Sequence, residues 1–213
     1  MLLDLDYRFL ARLLQSHGCK TSVETLSRAE SVARTEVQQR IRAGERPGEL
    51  WEDYFHFILA NVKAPVEAHE PIIATLWEAH QRIGLWTAAI PDAVDTVREL
   101  RARGFRIGVV SNAEGQVERD LSLAGFDGLL ETVVDSARVG VEKPNPEIFR
   151  IALARLDANA ETSIYLGDVP AVDIDGARAA GITPVLLDRH DLYPNIDAPR
   201  LRSIAELPGW LES

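Results

Sequence analysis

"SIYLGDVPAVDIDGARAAGITPVLLD", residues 163–188, decides the architecture. Residues 163–168 form a short apolar run that breaks at Gly167 and Asp168, the pattern of a buried strand reaching its end. Residues 173–181 read as a helix closed by Gly181, and 183–188 read as a second strand. Strand, helix and strand in so short a span make a βαβ unit, which implies a parallel sheet covered by helices. Ligands of such sheets bind beyond the carboxyl ends of the strands. Two carboxylates, Asp168 and Asp173, fall at that end five residues apart. The remaining question is what they hold.

The same alternation extends upstream. Pro91 is placed to open a helix carrying Val94, Val97 and Leu100, which Gly104 stops. "FRIGVVSN" (105–112) reads as a strand breaking into polar residues, followed by a helix to about Ala124. "ETVVDS" (131–136) reads as a further strand. Asn145 and Pro146 form a cap-then-proline helix start, and that helix runs to about Leu156.

Residues 6–86 have a different texture. Phe9, Leu10, Leu13 and Leu14 form one apolar stripe, which Gly18 ends. Trp51, Tyr54, Phe55, Ile58, Leu59 and Val62 recur with helical period, as do Ile72, Ile73, Leu76 and Trp77. "RAGERPGEL" (42–50) is a turn or loop, and no strand is expected between Tyr7 and Trp86. The expected organisation is a doubly wound α/β core, residues 1–5 and 87–213, with an all-helical insertion at 6–86 and a seam at 84–93.

Composition narrows the function classes. The formal charge is -10, with 33 acidic against 23 basic residues, so a nucleic-acid backbone would be repelled over most of the surface. No apolar run approaches the ~20 residues that span a bilayer, and no signal-peptide pattern is visible. No nucleic-acid or membrane partner is therefore expected. Cys19 is the single cysteine, which fits a reducing, cytoplasmic location. His17, His56, His69, His80 and His190 show no zinc spacing. Trp51, Trp77 and Trp86 read as core of the helical region.

Two strand ends and one helix start carry complementary polar groups. Ser111 and Asn112 end one strand, Asp168 ends another, and Lys143 sits in "VEKPNPEIF" just before a helix start. Taken singly, these are also ordinary turn, surface and helix-cap residues. Together they suit a phosphoryl group. The hydroxyl and nearby N–H groups can bond its oxygens, and the lysine offsets its charge as a compact cation. Carboxylates beside phosphate call for Mg²⁺, a hard ion that takes one or two carboxylates, waters and a phosphate oxygen. Asp168 is the expected ligand, and Asp173 either ligates the ion, directly or through water, or orients Lys143.

From Ile90 to Leu187 the chain resembles the haloacid dehalogenase-like hydrolase superfamily. Strand-SN at 107–112 is similar to the second motif of that group, "VEKPNPEIF" to the third, and "YLGDVPAVDIDGARAAG" to the acidic fourth. The tail "LLDRHDLYP…LRSIAELPGWL" resembles phosphatase-like members. The resemblance implies a Rossmann-like core with a helical cap and hydrolysis of a small phosphorylated molecule through an aspartyl intermediate. It makes Lys143, Ser111 and Asp173 the expected catalytic residues and Ser111, Asn112 and Lys143 the expected substrate contacts. Mg²⁺ is the expected cofactor, on Asp168 and Asp173. A 2-haloacid dehalogenase uses the same fold without metal, but the acidic "GD" at 167–168 would repel a halocarboxylate. A non-catalytic binding protein is the third reading.

The first motif of the superfamily, D-x-[D/G]-x-T with a nucleophilic aspartate, has no clean match. In "MLLDLDYRFLARLL" Asp4 and Asp6 have the D-x-D spacing, but Arg8 stands where Thr or Val belongs. "LLD" (2–4) aligns better with the residues that follow the motif, which places the nucleophile upstream of Met1. Asp4 as a displaced nucleophile and a fold without catalysis are the alternatives.

Overall fold

The computed structural model describes residues 2–212. The chain divides into two compact units, one of residues Asp4–Trp86 and one of Met1–Leu3 with Thr87–Ser213.

A short strand, β1 (Leu3–Asp4), leads into the helical unit: α1 (Tyr7–Ser16), α2 (Val23–Arg42), α3 (Trp51–Asn61) and α4 (His69–Ile83). Asp6 caps α1 by accepting the N–H of Phe9 at 2.8 Å, and Ser22 caps α2 by accepting that of Thr25 at 3.0 Å. Leu10, Leu14, Leu26, Phe55, Ile58, Leu59, Ile72 and Leu76 form the core of this unit, on the apolar stripes that the sequence displays. Trp51 packs against Phe55 with ring centroids 4.6 Å apart and meets Trp77 edge-on at 4.9 Å. One polar residue lies at full depth. Glu30 accepts the hydroxyls of Tyr7 and Tyr54 and pairs with Arg34 at 2.5 Å, so it pins α1 and α3 to α2. Burial would raise the pKa of Glu30, but the Arg34 charge and the two phenols hold it below the ordinary carboxylate value.

The second unit is α/β. Its elements are β2 (Ala88–Ala89), α5 (Ala93–Ala102), β3 (Gly108–Ser111), α6 (Val117–Leu121), β4 (Thr132–Asp135), α7 (Ser136–Val139), α8 (Pro146–Arg155), β5 (Ile164–Gly167), α9 (Asp175–Ala179), β6 (Thr183–Leu187), β7 (Arg200–Leu201) and α10 (Leu207–Trp210). β2 pairs with β1. β3 and β4 are parallel, with Ser111 opposite Asp135, and β5, β6 and β7 form a parallel sheet with Gly167 opposite Leu186. This is the doubly wound, Rossmann-like class expected from the alternation of strand and helix. In-register parallel strands bring Ser111 and Asp135 to one edge, and likewise Gly167 and Leu186. Among the described residues no helix is long and apolar enough to cross a membrane.

Three elements differ from expectation. Pro91 does not open α5. Asp92 intervenes with a φ of +63°, a left-handed turn that a short polar residue tolerates, and the helix begins at Ala93. β3 is shorter than 105–112, because its ladder to β4 starts only where the Ile107 carbonyl accepts the N–H of Glu131 at 2.8 Å. The segment 173–181 is not one helix. A wide turn, Pro170–Ile174, precedes α9, so Asp173 lies in the turn.

Candidate active site

The wide turn after β5 folds the Asp173 carboxylate back beneath the strand end. Its Oδ2 accepts the N–H groups of Asp168 and Val169 at 2.9 and 3.0 Å. Its Oδ1 accepts from the Lys143 ammonium at 2.7 Å and lies 3.4 Å from the Tyr165 hydroxyl. This return is possible only because residue 167 is glycine. A Cβ there would stand 2.3 Å from the Asp173 Cβ and 2.6 Å from Oδ2.

Lys143 is held at both ends. Its backbone is clamped by the Asn112 side chain, whose Oδ1 accepts the Lys143 N–H at 2.7 Å and whose amide donates to the Lys143 carbonyl at 3.0 Å. Its Nζ donates to Asp173 and, at 3.0 Å, to the Tyr165 hydroxyl. Tyr165 in turn donates to the Val110 carbonyl on β3 at 3.1 Å. The Tyr165 ring stands edge-on to Phe149 of α8, with centroids 4.9 Å apart. α9 packs so closely here that a Cβ on Gly176 would meet the Phe149 ring at 2.7 Å and the Pro144 carbonyl at 3.0 Å. The lysine therefore sits in a frame contributed by β3, β5, α8 and the turn after β5.

The electrostatics follow from that frame. Only 11% of the Lys143 side chain and 3% of the Asp173 side chain is exposed, so this is a buried ion pair. Burial alone would lower the lysine pKa, but the Asp173 carboxylate and the Tyr165 hydroxyl hold it above the ordinary lysine value. Burial would likewise raise Asp173, and the Lys143 charge with the Val169 N–H holds it below the usual carboxylate range. Burial pushes the Tyr165 phenol up, so it stays protonated. The result is a fixed positive charge at the end of a parallel sheet.

The structure thus brings Lys143, Asn112 and Asp173 together, with Ser111 next to Asn112 at the half-buried end of β3 and Asp168 half-buried directly after β5. Of the two roles open to Asp173, the geometry supports the orienting one. Both of its oxygens are engaged by Lys143 and by backbone N–H groups, which leaves it poorly placed as a metal ligand. The Asn112 amide gives one N–H and its oxygen to the Lys143 backbone. Among the described residues no group of three or more His, Cys, Asp or Glu side chains is arranged to hold a metal ion. Asp168 alone offers one carboxylate, which suits an ion that takes most of its ligands from water and phosphate. Sequence reading missed Tyr165, Asp135 and the requirement for Gly167. Asp135 ends β4 and accepts the N–H groups of Ala137 and Val117 at 3.0 and 3.4 Å, which steadies the loop after Ser111. The available signal was a tyrosine within an aliphatic strand, since a buried phenol needs a partner.

The family described as haloacid dehalogenase-like hydrolase matches residues 10–181. The chain belongs to that family. Among curated relatives, the glyceraldehyde 3-phosphate phosphatase of Methanopyrus kandleri is 34% identical over 149 residues. That match covers 68% of this chain and 63% of the relative, so the chain spans less than two thirds of the relative's length. A haloacid dehalogenase-like phosphatase structure from Thermococcus onnurineus superposes with a TM-score of 0.62 at 22% identity, over 99% of this chain and 93% of that one. A 2-haloacid dehalogenase from Pseudomonas syringae superposes with a TM-score of 0.57 at 20% identity, over 99% and 94%. At such identities the two superpositions speak for the fold alone, which serves both chemistries.

Proposed function

We propose that the protein hydrolyses a small phosphate monoester. The observation that carries this reading is the buried, fully charged Lys143 at the carboxyl end of the strands, held by Asp173 and clamped through its backbone by Asn112, the residue after Ser111. The glyceraldehyde 3-phosphate phosphatase relative supports the substrate class. An acidic residue at 168 disfavours a halocarboxylate and suits a cation-assisted phosphate.

In this reading the Lys143 ammonium neutralises charge on the transferring phosphoryl group, and the Ser111 hydroxyl donates to one of its oxygens. Asn112 acts through the Lys143 backbone, and Asp173 keeps the ammonium charged and aimed. A Mg²⁺ ion would be held in part by Asp168 and, when bound, would polarise a phosphoryl oxygen. An aspartate carboxylate attacks phosphorus, the ester P–O bond breaks, and the alkoxide takes a proton from solvent and leaves as the alcohol. Water then cleaves the acyl phosphate, releasing orthophosphate and restoring the carboxylate. The helical unit is assigned the part of a cap, which excludes water and selects the substrate.

The test measures orthophosphate release from p-nitrophenyl phosphate and halide release from 2-haloacids, with and without EDTA. Phosphate release that EDTA suppresses, and that Lys143→Ala and Asp168→Asn abolish, is the expected result. Either variant, folded by circular dichroism and hydrolysing at the parent rate, overturns the assignment. Halide release without phosphate release supports the dehalogenase reading instead.

A further inference from the structure

We propose that Tyr165 is a positioning residue for the reaction: its hydroxyl aims the Lys143 ammonium at the phosphoryl group and registers it against the strand that carries Ser111. The inference rests on the phosphatase reading above and adds a residue to it.

An ammonium has three N–H bonds. One points to Asp173 Oδ1 at 2.7 Å and a second to the Tyr165 oxygen at 3.0 Å. Two fixed acceptors determine the direction of the third N–H, because the three are set tetrahedrally about one nitrogen. With Asp173 alone, a single hydrogen bond would have to hold the end of a four-carbon side chain, and Nζ could swing about that bond as the side-chain torsions change, taking the third N–H with it. The Tyr165 oxygen removes that freedom. It can act as an acceptor because its own proton goes to the Val110 carbonyl at 3.1 Å, a shorter contact than the 3.4 Å to Asp173.

The same oxygen ties two parts of the site together. Val110 immediately precedes Ser111 on β3, while Tyr165 lies on β5 two residues before Gly167. A single hydroxyl thus links the lysine charge to the strand that presents the serine. The ring is itself fixed edge-on against Phe149, and its face lies 5.6 Å from the ammonium. Tyr165→Phe keeps these ring contacts and removes only the oxygen.

Positioning and packing make different predictions. A charge that is misaimed by a small angle still meets a bound ester but stabilises the transition state less. Tyr165→Phe is expected to lower kcat about 10- to 100-fold, the range for losing one hydrogen bond to a charged group, with KM for p-nitrophenyl phosphate within about twofold of the parent. Inhibition by orthovanadate, which mimics the transferring phosphoryl group, should weaken in step with kcat. A variant with parent kcat and parent vanadate affinity overturns the proposal, as does one in which KM rises while kcat holds. Lys143→Ala, assayed in parallel, separates the two levels. If it is inactive while Tyr165→Phe is unaffected, only the positioning role falls. If it is fully active, the part given to Lys143 falls as well, and if the parent itself releases no phosphate, the phosphatase reading falls. Should Tyr165→Phe fold poorly, vanadate affinity measured on the fraction that folds decides in the same way.

Discussion

The Lys143 ammonium lies 2.7 Å from Oδ1 of Asp173, and the second oxygen of that carboxylate caps the N–H groups of Asp168 and Val169. One buried aspartate therefore holds both a charge and a loop. Removing one partner of a buried pair strands the other, which is more damaging than never having had the pair. Asp173→Ala is expected to cost about 3–5 kcal/mol in urea unfolding. A loss under about 1 kcal/mol would show that the pair is not sealed from water.

The pair also sets a pH dependence. Asp173 is held below its unfolded value, so its contribution is present above about pH 4 and is lost as pH falls through the folded pKa. Lys143 is held above its unfolded value, so its contribution is whole below about pH 10 and is lost as pH rises through the folded pKa. The urea midpoint should fall more steeply below pH 4 in the parent than in the double variant Lys143→Met, Asp173→Asn. Glu30, also held ionised, leaves part of the acid limb in both chains. Superimposable acid limbs would remove Asp173 from the account.

Gly167→Ala tests the close return of the turn. The new methyl would stand 2.3 Å from the Asp173 Cβ and 2.5 Å from its Cγ, so the aspartate must move off the strand end. The expected cost is about 1–3 kcal/mol, the usual penalty for overpacking, together with loss of phosphate release. Full stability and activity in this variant would mean that Asp173 has room the structure does not show.

Much of this was legible in the chain. The strand-to-polar breaks at Ser111 and Gly167, the Asn145 cap whose side chain accepts the Glu147 N–H, and the helical stripes of 51–62 and 72–77 are local patterns, and local physics reads them. The rest depended on contacts between distant positions. Asn112 clamps the backbone of Lys143, 31 residues away, and nothing in "VVSN" alone distinguishes that clamp from a phosphate contact. Tyr165 lies within an apolar strand, and no local pattern marks its hydroxyl as a partner of Lys143, 22 residues away. Asp173 reads as a helix residue, although the bond from the Asp175 N–H to the Pro170 carbonyl, five residues back, widens the turn there. Glu30 lies in a largely polar helix, and its burial follows only from the tyrosines brought to it by two other helices.

The helical unit carries its own test. Glu30→Ala leaves Arg34 and the hydroxyls of Tyr7 and Tyr54 without their shared acceptor. The expected destabilisation is about 3–5 kcal/mol, against about 1–2 kcal/mol for Tyr7→Phe, which removes one donor. Chemical denaturation followed by tryptophan fluorescence reads it, since Trp51, Trp77 and Trp86 all lie in this unit. Equal effects of the two variants would argue against a single carboxylate node.

The most direct test of the central claim is orthophosphate binding by titration calorimetry, because it requires no turnover. If Lys143 is the fixed charge that receives a phosphoryl group, the parent chain binds orthophosphate and Lys143→Met binds it at least about tenfold more weakly, as expected for loss of one hydrogen bond from a charged donor. Equal affinity in the two chains, both folded, would contradict the account.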